Sequence, residues 1–587
     1  MRTAISLLGV LAALILVGAC FDPTRQCSTS SDCVNGGTCD PGTKTCVAAG
    51  NPNDKTAPVF SIVVTPPPDR QGPANLTLYD PGSPDGGRDA FRRDESVRVT
   101  VTSVDQDVDA GSVQLLAHGV SGSPGAALVV QLVACDSGNP AASNPFCREG
   151  TVQLASLQFE AFRAVAPLEV SGSDLSSNLG KADAGVNVTR WKWRYSAGAP
   201  IYTTPAIADD GTIVFGTSDG GSGSVYALMP DGSEKWTRPE LGPMKASAIL
   251  GSADGGHQFV YVATAASTGK MLALDVSDGA AVATCPTGTA FYAGGFMGTG
   301  ALVTSGPSAF EGALGLASGS KLVNIRPTAT GADPTCITTD SPATQGFASN
   351  IVVAGADAFV ATAEGLVRAF MLDSGNWVKN PSWGGGLGYV GVGDRSIQSV
   401  ALTSLSVVGT TSLKGIFELE RGAGSLQASF PPGGLTSDPG GVLLMFDAGV
   451  FGDGQSPAPL LYSVSTDLTT GTTGPLGGAL LGTPVAGSGG MIYVASSNGS
   501  IEARRGALAL VWTVSLGSSE SFLGSPTIGC SGRPADTEGV LYLPSVTGNL
   551  FSVVVDSPGL DPTAPWPKYQ HDVRNTGNPT TPIQSCP

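Results

Sequence analysis

Thr204-Pro205-Ala206-Ile207, then Asp210-Gly211-Thr212-Ile213-Val214-Phe215-Gly216-Thr217-Ser218-Asp219-Gly220, Ser224-Val225-Tyr226-Ala227-Leu228, Asp231-Gly232 and Trp236 form the stretch that decides the fold. It contains three short apolar runs, and Asp-Gly dipeptides punctuate them. Those dipeptides supply the positive-φ residues that tight hairpins require. The trailing Trp236 falls in a fourth run. The pattern returns as Thr483-Pro484-Val485, Gly490-Met491-Ile492-Tyr493-Val494-Ala495-Ser496-Ser497-Asn498-Gly499, Ser500-Ile501-Glu502-Ala503 and Trp512. It returns again as Ser525-Pro526-Thr527-Ile528, Gly539-Val540-Leu541-Tyr542-Leu543 and Gly548-Asn549-Leu550-Phe551-Ser552-Val553. Weaker copies occupy residues 259–274, 301–316, 358–370 and 405–419, with a degraded one at 442–464. A repeat of roughly 42–52 residues built from four short strands cannot bury both of its faces alone. Copies must therefore stack on one another.

Residues 190–560 resemble the PQQ-like β-propeller repeat family, on the strength of these Thr/Ser-Pro, Asp/Asn-Gly and Trp positions. The resemblance implies an all-β chain with a seven- or eight-bladed propeller, eight being preferred. Arg190-Trp191-Lys192-Trp193-Arg194-Tyr195 reads as an outer strand whose inner strands lie elsewhere, and the last copy lacks one. The amino-terminal strand is expected to complete the last blade. Behind the repeats, Pro565-Trp566-Pro567-Lys568-Tyr569-Gln570-His571-Asp572 and Asn575-Thr576-Gly577-Asn578 form a tail similar to segments at the edges of this family. The family includes both outer-membrane assembly lipoproteins and quinoprotein dehydrogenases, so the fold does not settle the chemistry.

The chain opens with Arg2, an apolar run over residues 4–17, and Leu16-Val17-Gly18-Ala19-Cys20. This resembles a bacterial lipoprotein signal peptide, too short for a membrane-spanning helix. The resemblance implies cleavage before Cys20 and a diacylglyceryl thioether on it. The rival is an ordinary secretory signal with a chance cysteine. Either address is one where thiols oxidise. Setting Cys20 aside leaves ten of the eleven cysteines. Cys27, Cys33, Cys39 and Cys46 crowd a polar stretch too short to bury a core, which reads as a disulfide knot. Zinc is the weaker reading, since no His lies near and no close CxxC pair occurs. Cys135 with Cys147, Cys285 with Cys336 and Cys530 with Cys586 pair plausibly by neighbourhood, the last tying the tail back to the final blade.

Between knot and repeats, Thr56-Ala57-Pro58-Val59, the alternating run Ser96-Val97-Arg98-Val99-Thr100-Val101-Thr102, and Asp174-Leu-Ser-Ser-Asn178 resemble a bacterial immunoglobulin-like domain. The Cys135/Cys147 pair would brace a loop in it. Asp105-Gln-Asp107-Val-Asp109 fails as an EF-hand, having Ala110 and Leu116 where glycine and glutamate belong. It reads as a solvated acidic turn. The expected organisation is a signal peptide at 1–19, a lipid anchor and cysteine-rich module with linker at 20–55, a β-sandwich at 56–188, and a propeller with tail at 189–587.

Composition agrees with short stacked strands. Among 587 residues there are 81 glycines and 42 prolines, but only 6% aromatics and 13% charged residues. A net charge of −17 argues against nucleic acid. The vicinal cysteines of quinoprotein dehydrogenases are missing, and no GxSxG, HExxH or GxxxxGK motif occurs. The three histidines, His118, His257 and His571, are isolated from one another; His571 is expected to bond structurally to the propeller rim. Trp236, Trp377 and Trp512 follow the repeat and read as blade packing. Trp383, beside Gly384-Gly385-Gly386, is off-pattern and stands as an exposed-loop binding candidate. No catalytic residue, metal site, cofactor or small-molecule substrate is identified. The expected function is a non-catalytic, lipid-anchored envelope scaffold whose rim and central funnel bind other envelope proteins. A carbohydrate-binding or adhesion module and a propeller hydrolase or lyase are the alternatives.

Overall fold

The computed structural model describes residues 38–39, 44, 46–47, 54–65, 90–119, 127–157, 159–252, 258–304, 312–317, 321–326, 335–340, 348–362, 365–374, 376–392, 397–431, 435, 437–454, 458–517, 519–531 and 538–583. Cys20, Cys27, Cys33, His257 and Cys586 lie outside the described residues. Strands dominate, and the helical elements among the described residues are two short 3-10 turns, Leu154–Ser156 and Trp383–Gly386. Thr38–Cys39 pairs with Cys46–Val47 in a two-stranded ladder. The chain divides into two compact units, one of residues 1–68, 95–159 and 164–188, the other of 69–94, 160–163 and 189–587.

The first unit has two antiparallel sheets. One runs Phe60–Thr65, Ser96–Ser103, Phe146–Gln153 and Val133–Ala134; the other includes Leu179–Thr189, Arg163–Ser173, Gln114–Ala117 and Leu128–Val130 in that order. Val97, Val99 and Val101 are wholly buried, as the alternation requires. The run does not stay half-buried, however: Thr100, Thr102 and Ser103 are buried too. Asn139 reaches across from the 135–147 loop, where its Nδ2 donates to Thr100 Oγ1 at 3.2 Å and to Glu149 Oε2 at 2.7 Å. A disulfide joins Cys135 to Cys147 at the two ends of that loop.

Among the described residues, the second unit has, besides a two-stranded ladder of Thr268–Gly269 with Tyr292–Ala293, eight antiparallel sheets of four main strands each. Their leading strands are Ala206–Ile207, Ile249–Ser252, Ala301–Val303, Ala348–Ala354, Val400–Leu402, Leu443–Leu444, Val485–Gly487 and Thr527–Cys530. We number the sheets one to eight in that order. Second strands such as Ile213–Gly216, Ser406–Thr411 and Gly539–Pro544 are buried throughout, because each sheet is covered on both faces. Sheet eight takes its fourth strand from the start of the unit: Trp191–Ser196 pairs antiparallel with Asn549–Val555. Buried apolar clusters join sheet one to two, two to three, three to four, four through six, and six to seven. A last cluster joins seven, eight and one, and includes Trp191, Ile213, Trp512 and Phe551.

Candidate functional site at the leading strands

The leading strands meet the tail. Edge strands carry unpaired backbone donors and acceptors that need partners when buried. The tail supplies them for six of the eight sheets. Trp566 N and O pair with Leu444, and Pro567 O accepts from Ala486 N at 2.7 Å. Val573, Arg574, Thr576 and Gly577 carbonyls accept from Ile207, Leu250, Leu302 and Val353 N–H groups at 2.7–2.9 Å. Side chains repeat the pattern. Asn575 Nδ2 donates to the Thr204 and Ala248 carbonyls, Asn578 Nδ2 to the Leu302 carbonyl, each at 3.0 Å. Gln570 Nε2 donates to the Gly300 and Ile351 carbonyls, and its oxygen accepts from Asn350 Nδ2.

The tail's polar groups are buried and mutually satisfied. Lys568, Gln570, Asp572, Asn575 and Thr576 are fully buried. The Lys568 amine donates to the Tyr569 and Asp572 carbonyls and to Asn575 Oδ1. Burial draws that amine down to about 7, with Asp572 pulling the other way. Burial also opposes ionisation of Asp572, but His571, Thr576 and Thr581 bond to its carboxylate and hold it below the usual range. His571 Nδ1 lies 3.2 Å from Asp572 Oδ2 and its ring meets Trp566 edge-on at 5.0 Å. Its bonding is thus internal to the tail, where the sequence suggested a bond to the rim. The protein's own tail thus runs along these strands.

A belt of side chains in and just ahead of the leading strands links neighbouring sheets. Thr204 N donates to Ser247 Oγ, Ser247 N to Thr299 Oγ1, Val400 N to Asn350 Oδ1, and Thr483 N to Ser525 Oγ, at 2.7–2.9 Å. The recurring Thr/Ser before proline was visible in the sequence. Its role was not, since it depends on the neighbouring sheet. Beside this belt lies a cavity of about 130 Å³ lined by Tyr202, Thr204, Lys245, Ser247, Gln398, Gly441, Leu481, Gly482, Thr483, Leu523, Gly524, Ser525 and Tyr569. The Lys245 amine sits 3.5 Å from the Tyr202 ring centroid. Burial lowers its pKa.

Three tryptophans latch one sheet to the next. The Nε1 of Trp193, Trp236 and Trp383 donates to the carbonyls of Pro230, Val276 and Arg421 at 3.1, 2.8 and 3.0 Å. Each indole covers a turn glycine at positive φ: Gly232, Gly279 and Gly424. A Cβ there would lie 2.6–2.7 Å from the indole ring, so only glycine fits. Trp383, expected on an exposed loop, is fully buried. The short turn Trp383–Gly386 carries it into the next sheet's glycine, and Gly384 and Gly385 take the positive φ that this turn needs. Trp377 and Trp512 are buried as expected. Between sheets two and three a disulfide, Cys285–Cys336, joins the trailing strands. Cys530 is also disulfide-bonded.

Two charged groups of side chains complete the inventory. Arg190 forks onto Asp556, Nη1 to Oδ1 at 3.0 Å and Nη2 to Oδ2 at 2.6 Å, and stacks over Trp512. Arg93 lies 3.3 Å from Glu538, whose carboxyl burial pushes up to about 7 against the pull of Arg93. The Arg190–Asp556 pair joins the start of the Trp191–Ser196 strand to the end of its neighbour Asn549–Val555. In the first unit, carboxylate oxygens of Asp54, Asp107 and Asp174 lie within 4.8 Å of one another. Such oxygens suit a hard cation. Asp174 already accepts from Ser176 N, Asn178 N and Asn178 Nδ2, so its Asp-x-x-x-Asn motif closes a turn. Asp105 caps Val59 N and Asp109 caps Gly111 N. His118 is half-buried, 4.0 Å from Glu169.

These features define the second unit as a β-propeller type of repeat structure. Residues 189–380 match the family model described as outer membrane protein assembly factor BamB. Among solved structures, BamB from Moraxella catarrhalis is similar at 14% identity, covering 61% of this chain and 97% of that one, with a TM-score of 0.42. The computationally designed Ika8 protein is similar at 13% identity, covering 61% and 98%, also at 0.42. No curated protein matches.

Proposed function

We propose that this chain is a lipid-anchored envelope protein whose second unit is a closed eight-bladed propeller serving as a non-catalytic interaction scaffold. The observation that carries this reading is the match of residues 189–380 to a family model named for an outer-membrane assembly factor. Supporting closure, the Trp191–Ser196 strand completes sheet eight, and one apolar cluster bridges sheets seven, eight and one. A tail along the leading strands leaves the loops between strands as the surface for partners. Cys20 carries the lipid, the cysteine-rich module and an immunoglobulin-like first unit act as spacers, and other envelope proteins are the partners. Among the described residues no helix is long and apolar enough to cross a membrane, which suits attachment through a lipid.

Two measurements on the protein expressed in a Gram-negative host test this. Intact mass spectrometry of the mature protein should show a diacylglyceryl and acyl addition on Cys20. Cross-linking in intact envelopes should recover recurrent protein partners whose links map to propeller loops. An unlipidated mature protein together with links scattered over both units would defeat the reading.

A further inference from the structure

We propose that the cavity beside the belt is a binding site for a carboxylate. The residues around it come from the segments ahead of the leading strands of sheets one, two, five, six, seven and eight, together with Tyr569 of the tail. Six sheets and the tail converge there, so the cavity belongs to the assembled unit and to no single repeat. It offers a cation and hydroxyl donors but no anionic acceptor. Lys245 makes no hydrogen bond or ion pair with any described residue, and no carboxylate lines the cavity. Burial alone acts on its amine, with no charged neighbour contributing. Ser247 and Ser525 accept backbone N–H groups through their oxygens, which leaves their O–H protons to donate.

The charge count selects the ligand. One ammonium and no second cation line the site, so a monoanion is neutralised whereas a phosphate dianion keeps an excess charge. A protein of net charge −17 makes that excess costlier. The volume suits a compact group, being smaller than the ~300–1,000 Å³ of drug-sized pockets. Leu481, Leu523 and the Tyr202 ring supply apolar surface for the carbon atoms that carry the carboxylate. This site is independent of the scaffold reading. The carboxylate can belong to a free organic acid or to an acidic side chain of a bound protein.

The full-length protein is titrated with N-acetylglycine, a free monocarboxylate, with the blocked tripeptide Gly-Glu-Gly, and with inorganic phosphate, using calorimetry at pH 6, 7.5 and 9. At pH 7.5 and 9, where phosphate is mostly the dianion, both carboxylate probes, or either one, should bind at least tenfold more tightly than phosphate. Binding should weaken as pH rises and the amine loses its proton. Lys245→Met should lower affinity at least tenfold with its melting temperature unchanged, and Lys245→Gln provides a second variant should Met disturb folding. Binding of N-acetylglycine identifies free acids as ligands, and binding of the tripeptide alone identifies a partner's side chain. Failure of both probes, equal binding of phosphate, or full binding by folded Lys245 variants would overturn the proposal.

Discussion

The seam between sheets one and two and the seam between sheets two and three close by different means. At the first, Trp236 lies over Gly279 and donates to the Val276 carbonyl. At the second, the trailing strand carries no tryptophan, and Cys285 is bonded instead to Cys336. Both devices join a trailing strand to the following sheet. The tryptophan seam works in the folded state, through about 3–5 kcal/mol of buried contact and hydrogen bonding. The disulfide acts chiefly on the unfolded chain, by removing loop entropy. Repeats can therefore lose their hallmark tryptophan without losing the seam, provided the compartment oxidises thiols. The copy at residues 259–274 looked weak in sequence, yet its sheet has all four strands although the trailing one, Ala281–Cys285, carries no tryptophan.

The comparison can be broken most directly at the indole. Trp236→Ala should cost ~3–5 kcal/mol, the range for large-to-small changes in a packed core, read from the shift in denaturation midpoint. An effect below about 1 kcal/mol would mean that the latch is decorative. Next in size is Cys285→Ser with Cys336→Ser. Closing a loop of sequence separation 51 gives an entropic ceiling of about 4 kcal/mol, and ~2–4 kcal/mol is the expected loss. Adding reductant to the unsubstituted protein should cost at least that much, since Cys135–Cys147 and the Cys530 disulfide are reduced as well, yet leave the Trp236→Ala increment intact. Combining the variants tests independence: their costs should add to within about 0.5 kcal/mol.

The smallest effect concerns what the two seams share, the tail. Asp572 has a depressed pKa in the folded state. Its contribution is complete above the ordinary carboxylate value of ~4 and is lost as pH falls through the folded value. Stability measured from pH 5 down to pH 2 should fall by a similar amount in the protein and in either seam variant. Asp572→Asn should be less stable at pH 5 and show a shallower fall in acid. An unchanged acid profile in that variant would assign acid sensitivity elsewhere.

Legibility in the sequence followed the range of the interaction. Asp210-Gly211 and Asn498-Gly499 announced hairpins because φ > 0 is a local demand, and both glycines adopt it. Trp191–Ser196 was recognisable as a strand without a sheet, since an alternating run needs a partner wherever it is found. Trp383 was misread because the repeat placed Trp377 in the expected strand, and nothing local said that a second indole would reach Gly424. The polar tail looked like an edge segment. Lys568, Gln570, Asp572 and Asn575 are unremarkable in sequence, and only the backbone groups of six separate sheets make their burial possible. Lys245 drew no notice for the same reason.

From its own order of residues the chain determined short strands, their hairpins and their recurrence, since each follows from backbone preference and the period of apolar side chains. Tertiary structure alone decided where the tail lies, which tryptophans latch, and that Lys245 shares a cavity with Ser525 from a distant loop. Those outcomes depend on groups hundreds of positions apart meeting in space, and no local pattern of residues encodes such a meeting.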